Sequence, residues 1–223
     1  MESNYQELFE TAGFVKDYYE NTRSFFSEYF DNEKDMLSFF YRVFVNDSIN
    51  NHPRHIMNQV VRWVELARDI YSLKPKRDAF AVACIRICIE SICPKKGEEK
   101  TTFFSNNISD EGKKYICDSF KVLSEVQLSS GKEIDVYNSG IREFENLIYH
   151  IRNNLVHDGD YWSTQLFSFS GVEICDCLRD KSPVYNYITS LNFDKFIFYF
   201  VEAAIKYIDK YIYDMRINAI NEN

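Results

Sequence analysis

Residues 77–93, RDAFAVACIRICIESIC, are the stretch that decides the fold. Nearly every position from Ala79 to Ile92 is apolar, and Cys84 and Cys88 stand four apart, which is the spacing of a helix core. Because apolar residues occupy almost the whole circumference of this helix, we expect it in the centre of a helical bundle.

The segments on both sides of this run carry apolar residues at helical spacing. Asn32, with Asp35 three residues later, predicts the cap of one helix, and Pro53 suits the first turn of the next. Ser109 and Asn192 predict the caps of two further helices. The apolar stripes that follow these four starts are Met36, Phe39, Phe40, Val43 and Phe44; Ile56, Val60, Trp63, Ala67 and Ile70; Ile116, Phe120, Leu123 and Val126; and Ile197, Val201, Ala204, Ile208, Tyr211 and Met215.

Three other segments differ in pattern. Residues 95–108 are polar and predict a loop, and residues 133–156 predict a long helix. Between 161 and 190 the pattern alternates, which predicts a short β-hairpin turning at Ser170-Gly171.

The fold class predicted from these segments is all-α, an antiparallel helical bundle with one small β-hairpin excursion near 161–190. No internal repeat or low-complexity tract interrupts the chain, so we expect one domain over residues 1–223. Residues 1–73 are interpreted as an N-terminal helical extension packed on a core bundle of residues 77–223.

Composition limits the classes of function. The 223 residues carry a net charge of −8, which argues against a general nucleic-acid coat protein but is compatible with a small basic cleft on an acidic body. No P-loop, GxSxG, HExxH or dinucleotide glycine pattern occurs, so classes built on those motifs lack support.

The cysteines and the N-terminus indicate the compartment. Six cysteines are present without a CxxC pair, and the chain starts without a basic and apolar leader or any membrane-length apolar run. We therefore expect reduced thiols in a cytoplasmic protein, with no membrane span, no metal site and no cofactor.

The segment Ile151-Arg152-Asn153-Asn154-Leu155-Val156-His157-Asp158-Gly159 has the residues for chemistry. It resembles the signature of the HEPN (higher eukaryotes and prokaryotes nucleotide-binding) superfamily, and within it the Apea-like or related ribonucleases. In that family an arginine, usually followed by a polar residue, precedes a histidine near the end of a core helix, and four to six residues intervene between the two. Here four residues intervene, Asn153 is the polar residue, and the predicted helix ends at Asp158-Gly159.

The resemblance implies a HEPN-type bundle and a metal-independent endoribonuclease, and the chemistry of the two side chains agrees. Cleavage of RNA by its own 2′-hydroxyl requires an acid or base near neutral pH, and histidine titrates there. A permanently protonated arginine can hold the charged phosphate. The predicted catalytic residues are Arg152, His157 and Asn153, with Asn154 and Asp158 in support.

Helix geometry constrains this site. On a straight α-helix, Arg152 and His157 lie about 140° apart and do not share a face. Irregular backbone at Asp158-Gly159 is one way to bring them together. A second copy of the helix in a two-fold homodimer, as in HEPN proteins, is another and is the interpretation we favour.

Two carboxylates are candidates to orient Arg152. Glu145 lies seven positions before it, nearly on the same face, and Glu90 lies within the apolar run. Glu90 pairs either with Arg86, four positions earlier, or with the cleft beside Arg152. In a purely structural interpretation, Arg152 pairs with Glu145 on the surface and His157 caps the helix C-terminus.

Two main functional hypotheses follow, beside a third in which the chain is a structural subunit of a larger complex. The first is an endoribonuclease that cleaves RNA by 2′-hydroxyl transesterification at a dimeric Arg/His site, in a toxin–antitoxin or antiviral defence system with an antitoxin or defence protein as partner. The alternative is a non-catalytic HEPN module that binds a nucleotide, RNA or a protein.

Overall fold

The computed structural model describes residues 16–45, 50–74, 76–93, 101–127, 133–159, 164–168, 171, 174–179 and 184–221. The chain divides into two compact units, one formed by Met1–Arg62 with Val201–Asn223 and the other by Trp63–Phe200. We call them the terminal unit and the central unit. This division does not decide whether the chain is a single domain with an N-terminal extension, so that stays a prediction.

Helices α1 (Lys16–Ser27), α2 (Glu33–Phe44), the first half of α3 (His52–Leu73) and most of α8 (Phe193–Asn221) form the terminal unit. The predicted cap at Asn32 is confirmed, because its side chain accepts a hydrogen bond from the backbone N–H of Asp35 at 3.0 Å.

The core of the terminal unit is aromatic. The ring of Phe26 lies 5.7 Å from that of Phe39 and meets that of Phe40 edge to face at 5.8 Å. All three side chains are buried. Such rings bury large apolar areas, and their pairing fixes α1 against α2.

The central unit contains α4 (Asp78–Ile92), α5 (Phe103–Asn107), α6 (Asp110–Ser119), α7 (Ile141–Asn153) and the strands, with the ends of α3 and α8. Helix α4 packs against α7 and, as its composition predicts, is buried on nearly every side. Its buried positions are Asp78, Ala79, Ala81, Val82, Ala83, Cys84, Ile85, Arg86, Cys88, Ile89 and Ile92.

A four-stranded antiparallel sheet belongs to the same unit, with strand order β2-β1-β4-β3. The strands are β1 (Phe120–Gln127), β2 (Glu133–Asn138), β3 (Ile174–Arg179) and β4 (Val184–Thr189). In the central pair, Val122 of β1 lies opposite Tyr187 of β4, and both side chains are buried.

The mainly helical fold with a hairpin between 161 and 190 is confirmed, with two corrections. The hairpin is formed by β3 and β4, so its connection is 180–183 and not Ser170-Gly171, of which Ser170 lies outside the described residues. Phe120–Gln127 and Glu133–Asn138 are strands, although helix was predicted over both.

The physical reason for the second correction is that short apolar segments fit both periods. Phe120, Leu123 and Val126 recur at helical spacing, but Phe120 and Val122 also alternate as in a strand. Pairing with β2, which follows in sequence, and with the distant β4 accompanies the strand conformation. The predicted loop at 95–108 also changes, because it contains the short helix α5, while residues 94–100 lie outside the described residues.

Asp78 ties the chain downstream of α7 to the start of α4. Its Oδ2 accepts hydrogen bonds from the backbone N–H groups of Leu166 and Phe167, each at 2.7 Å. The carboxylate is fully buried, so these charge-assisted bonds are strong. They fix the segment that follows the Arg152–His157 region against the core.

Helix α8 is the longest of the described helices, at 29 residues, and charged residues recur along it. Within the described residues, no helix combines the length and apolarity that crossing a bilayer requires.

Candidate functional site

The backbone directly after α7 is irregular, and it contains most of the predicted motif. After Asn153 the chain continues as a π-helical turn over Asn154–Asp158 and ends at Gly159. The N–H of Gly159 donates to the carbonyl of Asn154, five residues back. Gly159 has φ of +67°, a conformation that glycine adopts without steric strain.

The π turn changes the relation between Arg152 and His157. A π turn has more residues per turn than an α-helix, so each residue contributes less rotation. The angle between the two side chains is therefore smaller than the roughly 140° of a straight helix. Irregular backbone at Asp158-Gly159 was the alternative to the favoured two-fold dimer; the structure has irregular backbone that begins earlier, at Asn154, and the dimer stays a prediction.

Arg152 is held by two neighbours. Its Nη2 donates to Oε2 of Glu90 at 2.9 Å, and its Nη1 donates to Oδ1 of Asn153 at 3.0 Å. Its Nε has no hydrogen-bond partner among the described residues. The side chains of Arg152 and Glu90 are both about one-fifth exposed, so the pair lies at the boundary between core and solvent.

Glu90 bridges two arginines. Its second oxygen, Oε1, lies 3.3 Å from Nε of Arg86, one helical turn earlier on α4. The Arg86 side chain is only 3% exposed, and its guanidinium lies 5.2 Å from the centroid of the Tyr149 ring. Burial lowers the pKa of Arg86, and the charge and hydrogen bond of Glu90 oppose that shift.

This set, which we call the arginine cluster, consists of Arg86, Glu90, Arg152, Asn153 and Tyr149. Within it the carboxylate of Glu90 lies between two guanidinium groups. The carboxyl of Glu145 is also close enough for the charge of Arg86 to lower its pKa. A guanidinium at the solvent boundary, as at Arg152, is a group that can bind carboxylate or phosphate through paired hydrogen bonds.

Glu145 does not pair with Arg152, which corrects one of the predicted arrangements. Its oxygens accept hydrogen bonds from the backbone N–H of Ser105 at 2.9 Å and from the Ser105 hydroxyl at 2.6 Å. Seven residues along one helix separate two side chains by about 10 Å, whereas Glu90 reaches Arg152 from a neighbouring helix.

Glu145 therefore connects α7 to α5. It is almost fully buried, and this burial raises the pKa of its carboxyl, while the Ser105 hydrogen bonds and the charge of Arg86 act in the opposite direction. It lies about two helical turns before Arg152 on α7 and holds Ser105 of α5 through its two oxygens.

The remaining motif residues divide into buried and exposed sets. Asn154 is 1% exposed and belongs to the core. His157 and Asp158 are exposed at the end of the π turn. The structure thus brings Glu90, Arg152 and Asn153 into contact, and His157 is exposed to solvent five residues after Arg152.

Tyr149 is the member of the cluster that sequence reasoning missed. It stands three residues before Arg152, and this spacing places it beside the arginine on the helix surface. Arg86 and Glu90, which lie four positions apart in an apolar run, were a stronger signal in the sequence than Tyr149. Their pairing is confirmed.

The described residues contain no group of histidine, cysteine and carboxylate side chains arranged to hold a metal ion. Cys84, Cys88 and Cys93 are buried and form no disulfide among the described residues, and burial raises the pKa of Cys84 to about 11. The side chains of Cys175 and Cys177 are not among those that the structure describes.

No protein-family model, curated protein or solved structure matches this chain. The resemblance to the HEPN superfamily therefore depends on the 151–159 motif and on its place at the end of a bundled helix. The arginine cluster and the π turn are observed in the structure of this chain, independently of that resemblance.

Proposed function

We propose that this chain is a HEPN-type, metal-independent endoribonuclease in which Arg152 binds the scissile phosphate and His157 transfers the proton. The observation that carries the proposal is the π turn over Asn154–Asp158, which begins two residues after the anchored Arg152 and contains the solvent-exposed His157. Single π turns inside α-helices are frequent at functional sites.

In the proposed reaction the 2′-hydroxyl of one nucleotide attacks the adjacent phosphorus, and the bond from phosphorus to the 5′-oxygen breaks. The products are a 2′,3′-cyclic phosphate and a 5′-hydroxyl. His157 accepts the hydroxyl proton or donates one to the leaving oxygen, and Arg152 stabilises the additional charge on the phosphorane. Glu90 and Asn153 hold the guanidinium in place, which lowers the cost of ordering it.

A two-fold homodimer is part of the proposal. Tyr149 and Val156 flank Arg152 on the surface and are 39% and 53% exposed, which leaves apolar area beside the site. Pairing of α7 with its copy would cover this area and place two arginines and two histidines around one cleft. Mixed dimers of an Arg152→Ala chain and a His157→Ala chain are then expected to regain part of the cleavage activity. Inactive mixtures would instead support a site within each chain.

The direct test is cleavage of single-stranded RNA in EDTA by the purified chain. We expect 2′,3′-cyclic phosphate ends, and loss of at least about 100-fold in rate for His157→Ala. His55→Ala is the matched control, since His55 is an exposed histidine on α3 in the terminal unit. Cleavage that survives His157→Ala, or that falls equally in the control, would contradict the assignment.

The second candidate is a non-catalytic module that binds RNA, a nucleotide or a protein. It is favoured by the hydrogen bonds that already occupy both Nη atoms of Arg152. Thermal stabilisation by a nucleotide without any RNA cleavage would support it.

The biological setting follows from the resemblance alone. Endoribonucleases of this type act in toxin–antitoxin and antiviral defence systems, in the cytoplasm and with a protein partner. Expression of the active chain is then expected to arrest growth, and the His157→Ala chain is expected to be tolerated at the same level.

A further inference from the structure

A second polar site lies at the other end of α7. Thr101 and Thr102, which precede α5, and Arg142 and Asn146 of α7 line a cavity of about 320 Å³. Arg142 and Asn146 are exposed, one helical turn apart, on the face of α7 that is turned away from the core.

The chemistry of this lining is that of an anion site. It offers a guanidinium, an amide and two hydroxyls, and no carboxylate of the described residues lines the cavity. Arg142 forms no ion pair within the described part of the chain, in contrast to Arg152. The amide of Asn106 donates a hydrogen bond to Oγ1 of Thr102 at 2.9 Å, which fixes this hydroxyl at the edge of the cavity.

The cavity and the proposed cleavage site lie along one helix. Ten residues separate Arg142 from Arg152, which is about 15 Å along the axis of an α-helix. The exposed or half-exposed side chains between them are Glu143, Asn146, Tyr149 and His150. A guanidinium at each end with polar and aromatic groups between is an arrangement that tracks a single nucleic-acid strand.

We propose that the Arg142 cavity binds a second backbone phosphate of a single-stranded RNA, a few nucleotides from the phosphate at Arg152. The inference rests on the proposed function for the identity of its ligand. It predicts that the chain prefers extended single-stranded substrates to dinucleotides, because only a longer strand reaches both arginines.

Binding tests this without any need for cleavage. A labelled single-stranded RNA of about 12 nucleotides is titrated with His157→Ala protein, and its anisotropy is followed over a range of salt concentrations. Adding Arg142→Gln is expected to weaken binding about tenfold and to reduce the log–log salt slope by about 0.7, the value for one phosphate contact on a single strand. Arg142→Lys should retain part of the affinity.

Arg62→Gln is the matched control, since it removes an exposed arginine from α3. Unchanged affinity and salt slope in Arg142→Gln would overturn the inference, as would an equal loss in Arg62→Gln. Absence of RNA binding by the parent protein would overturn it together with the proposed function.

Kinetics separate the two proposals further. In the active chain, Arg142→Gln is expected to raise KM for the longer RNA about tenfold, with kcat nearly unchanged and kcat/KM for a dinucleotide unaffected. Equal losses on both substrates would overturn the second phosphate site and leave the cleavage site standing. If the parent chain cuts neither substrate, the proposed function fails, and the binding result alone decides whether the Arg142 cavity is a phosphate site.

Discussion

The two units each contain an arginine paired with a carboxylate, and the pairs differ in kind. In the terminal unit, Nε and Nη2 of Arg42 reach the two oxygens of Asp209 at 2.8 and 2.9 Å. In the central unit, Glu90 divides its two oxygens between Arg86 and Arg152.

The Arg42–Asp209 pair is complete in itself. One guanidinium meets one carboxylate in bidentate geometry, between two regular helices, and both side chains are more than one-third exposed. Such a pair has little excess charge to offer a ligand. It is a surface contact between α2 and α8, and its contribution to stability is small because water screens it.

The arginine cluster shares the carboxylate of Glu90 between two arginines and lies beside irregular backbone. One of its cations is buried, and the other is at the solvent boundary next to the π turn. In the function proposed above, the substrate phosphate binds at Arg152, the cation at that boundary. The two pairs therefore differ in geometry and burial, and matched variants of each should separate a purely structural contact from one that also serves binding.

Removing the carboxylate of each pair should give the largest difference. Glu90→Ala leaves the buried Arg86 without its principal partner and should lower the free energy of unfolding by about 3 kcal/mol. Asp209→Ala leaves an exposed arginine and should cost about 1 kcal/mol or less. Urea denaturation measures both changes.

The double variant Arg86→Met with Glu90→Ala is the control for this prediction. It removes the buried cation as well, so most of the lost stability should return. If Glu90→Ala and Asp209→Ala lower the free energy of unfolding by the same amount, the ion pairs of the arginine cluster contribute no more to stability than a surface pair does.

Replacing an arginine of each pair by lysine should separate binding from structure. Arg152→Lys keeps the charge but loses the planar, two-pronged donor, and it should slow RNA cleavage by about 100-fold. Its free energy of unfolding should fall by less than about 1 kcal/mol, because the side chain is partly exposed. Arg42→Lys should leave cleavage unchanged. A loss of activity in both variants would mean that the effect is on folding.

The sequence predicts best those structural features that depend on contacts between residues close together in the chain. The caps at Asn32, Ser109 and Asn192 were predicted correctly because a cap is a contact between residues three apart. The central helix α4 followed from its own composition. Strand β1 was missed because its short apolar segment also fits the helical period, although one of its partners, β2, follows closely in sequence. Its other partner, β4, lies more than sixty positions away.

The candidate site follows the same rule. The motif residues Arg152 and His157 are visible in the sequence, and the Arg86–Glu90 pair follows from helical spacing within α4. The Glu90–Arg152 hydrogen bond depends on how α4 packs against α7, so spacing alone left Glu145 as an equal candidate. The π turn depends on backbone hydrogen bonding at Asn154–Asp158, which a pattern of side chains does not specify.

The irregular backbone beside the arginine cluster can be tested through glycine. Gly159→Ala places a side chain at a φ of +67°, with no atom within 4 Å of the new Cβ, so backbone strain alone should cost about 1 kcal/mol. Gly171→Ala, at a φ of +72°, should cost a similar amount. Only Gly159→Ala should also reduce cleavage, because only it disturbs the end of the π turn. Equal effects of the two variants on cleavage would argue against a role for the turn.

The smallest expected effect is a pH dependence of folding stability, which arises from Glu145 in the central unit. Burial raises the pKa of Glu145 above its ordinary value of 4.5, so the folded chain binds this proton more tightly than the unfolded chain. Stability contributed by protonated Glu145 is present below about pH 4 and is lost as pH rises through the raised value.

Relative to Glu145→Gln, the parent chain should therefore lose stability as pH rises above 4.5, with a slope no steeper than about 1.4 kcal/mol per pH unit. Urea denaturation of both chains between about pH 4 and 8 measures the difference. Ser105→Ala removes a hydroxyl donor that lowers the pKa of Glu145, so it should extend the loss to higher pH. A difference that is constant, or that grows in favour of the parent chain as pH rises, would mean that the Ser105 hydrogen bonds outweigh burial at this carboxyl.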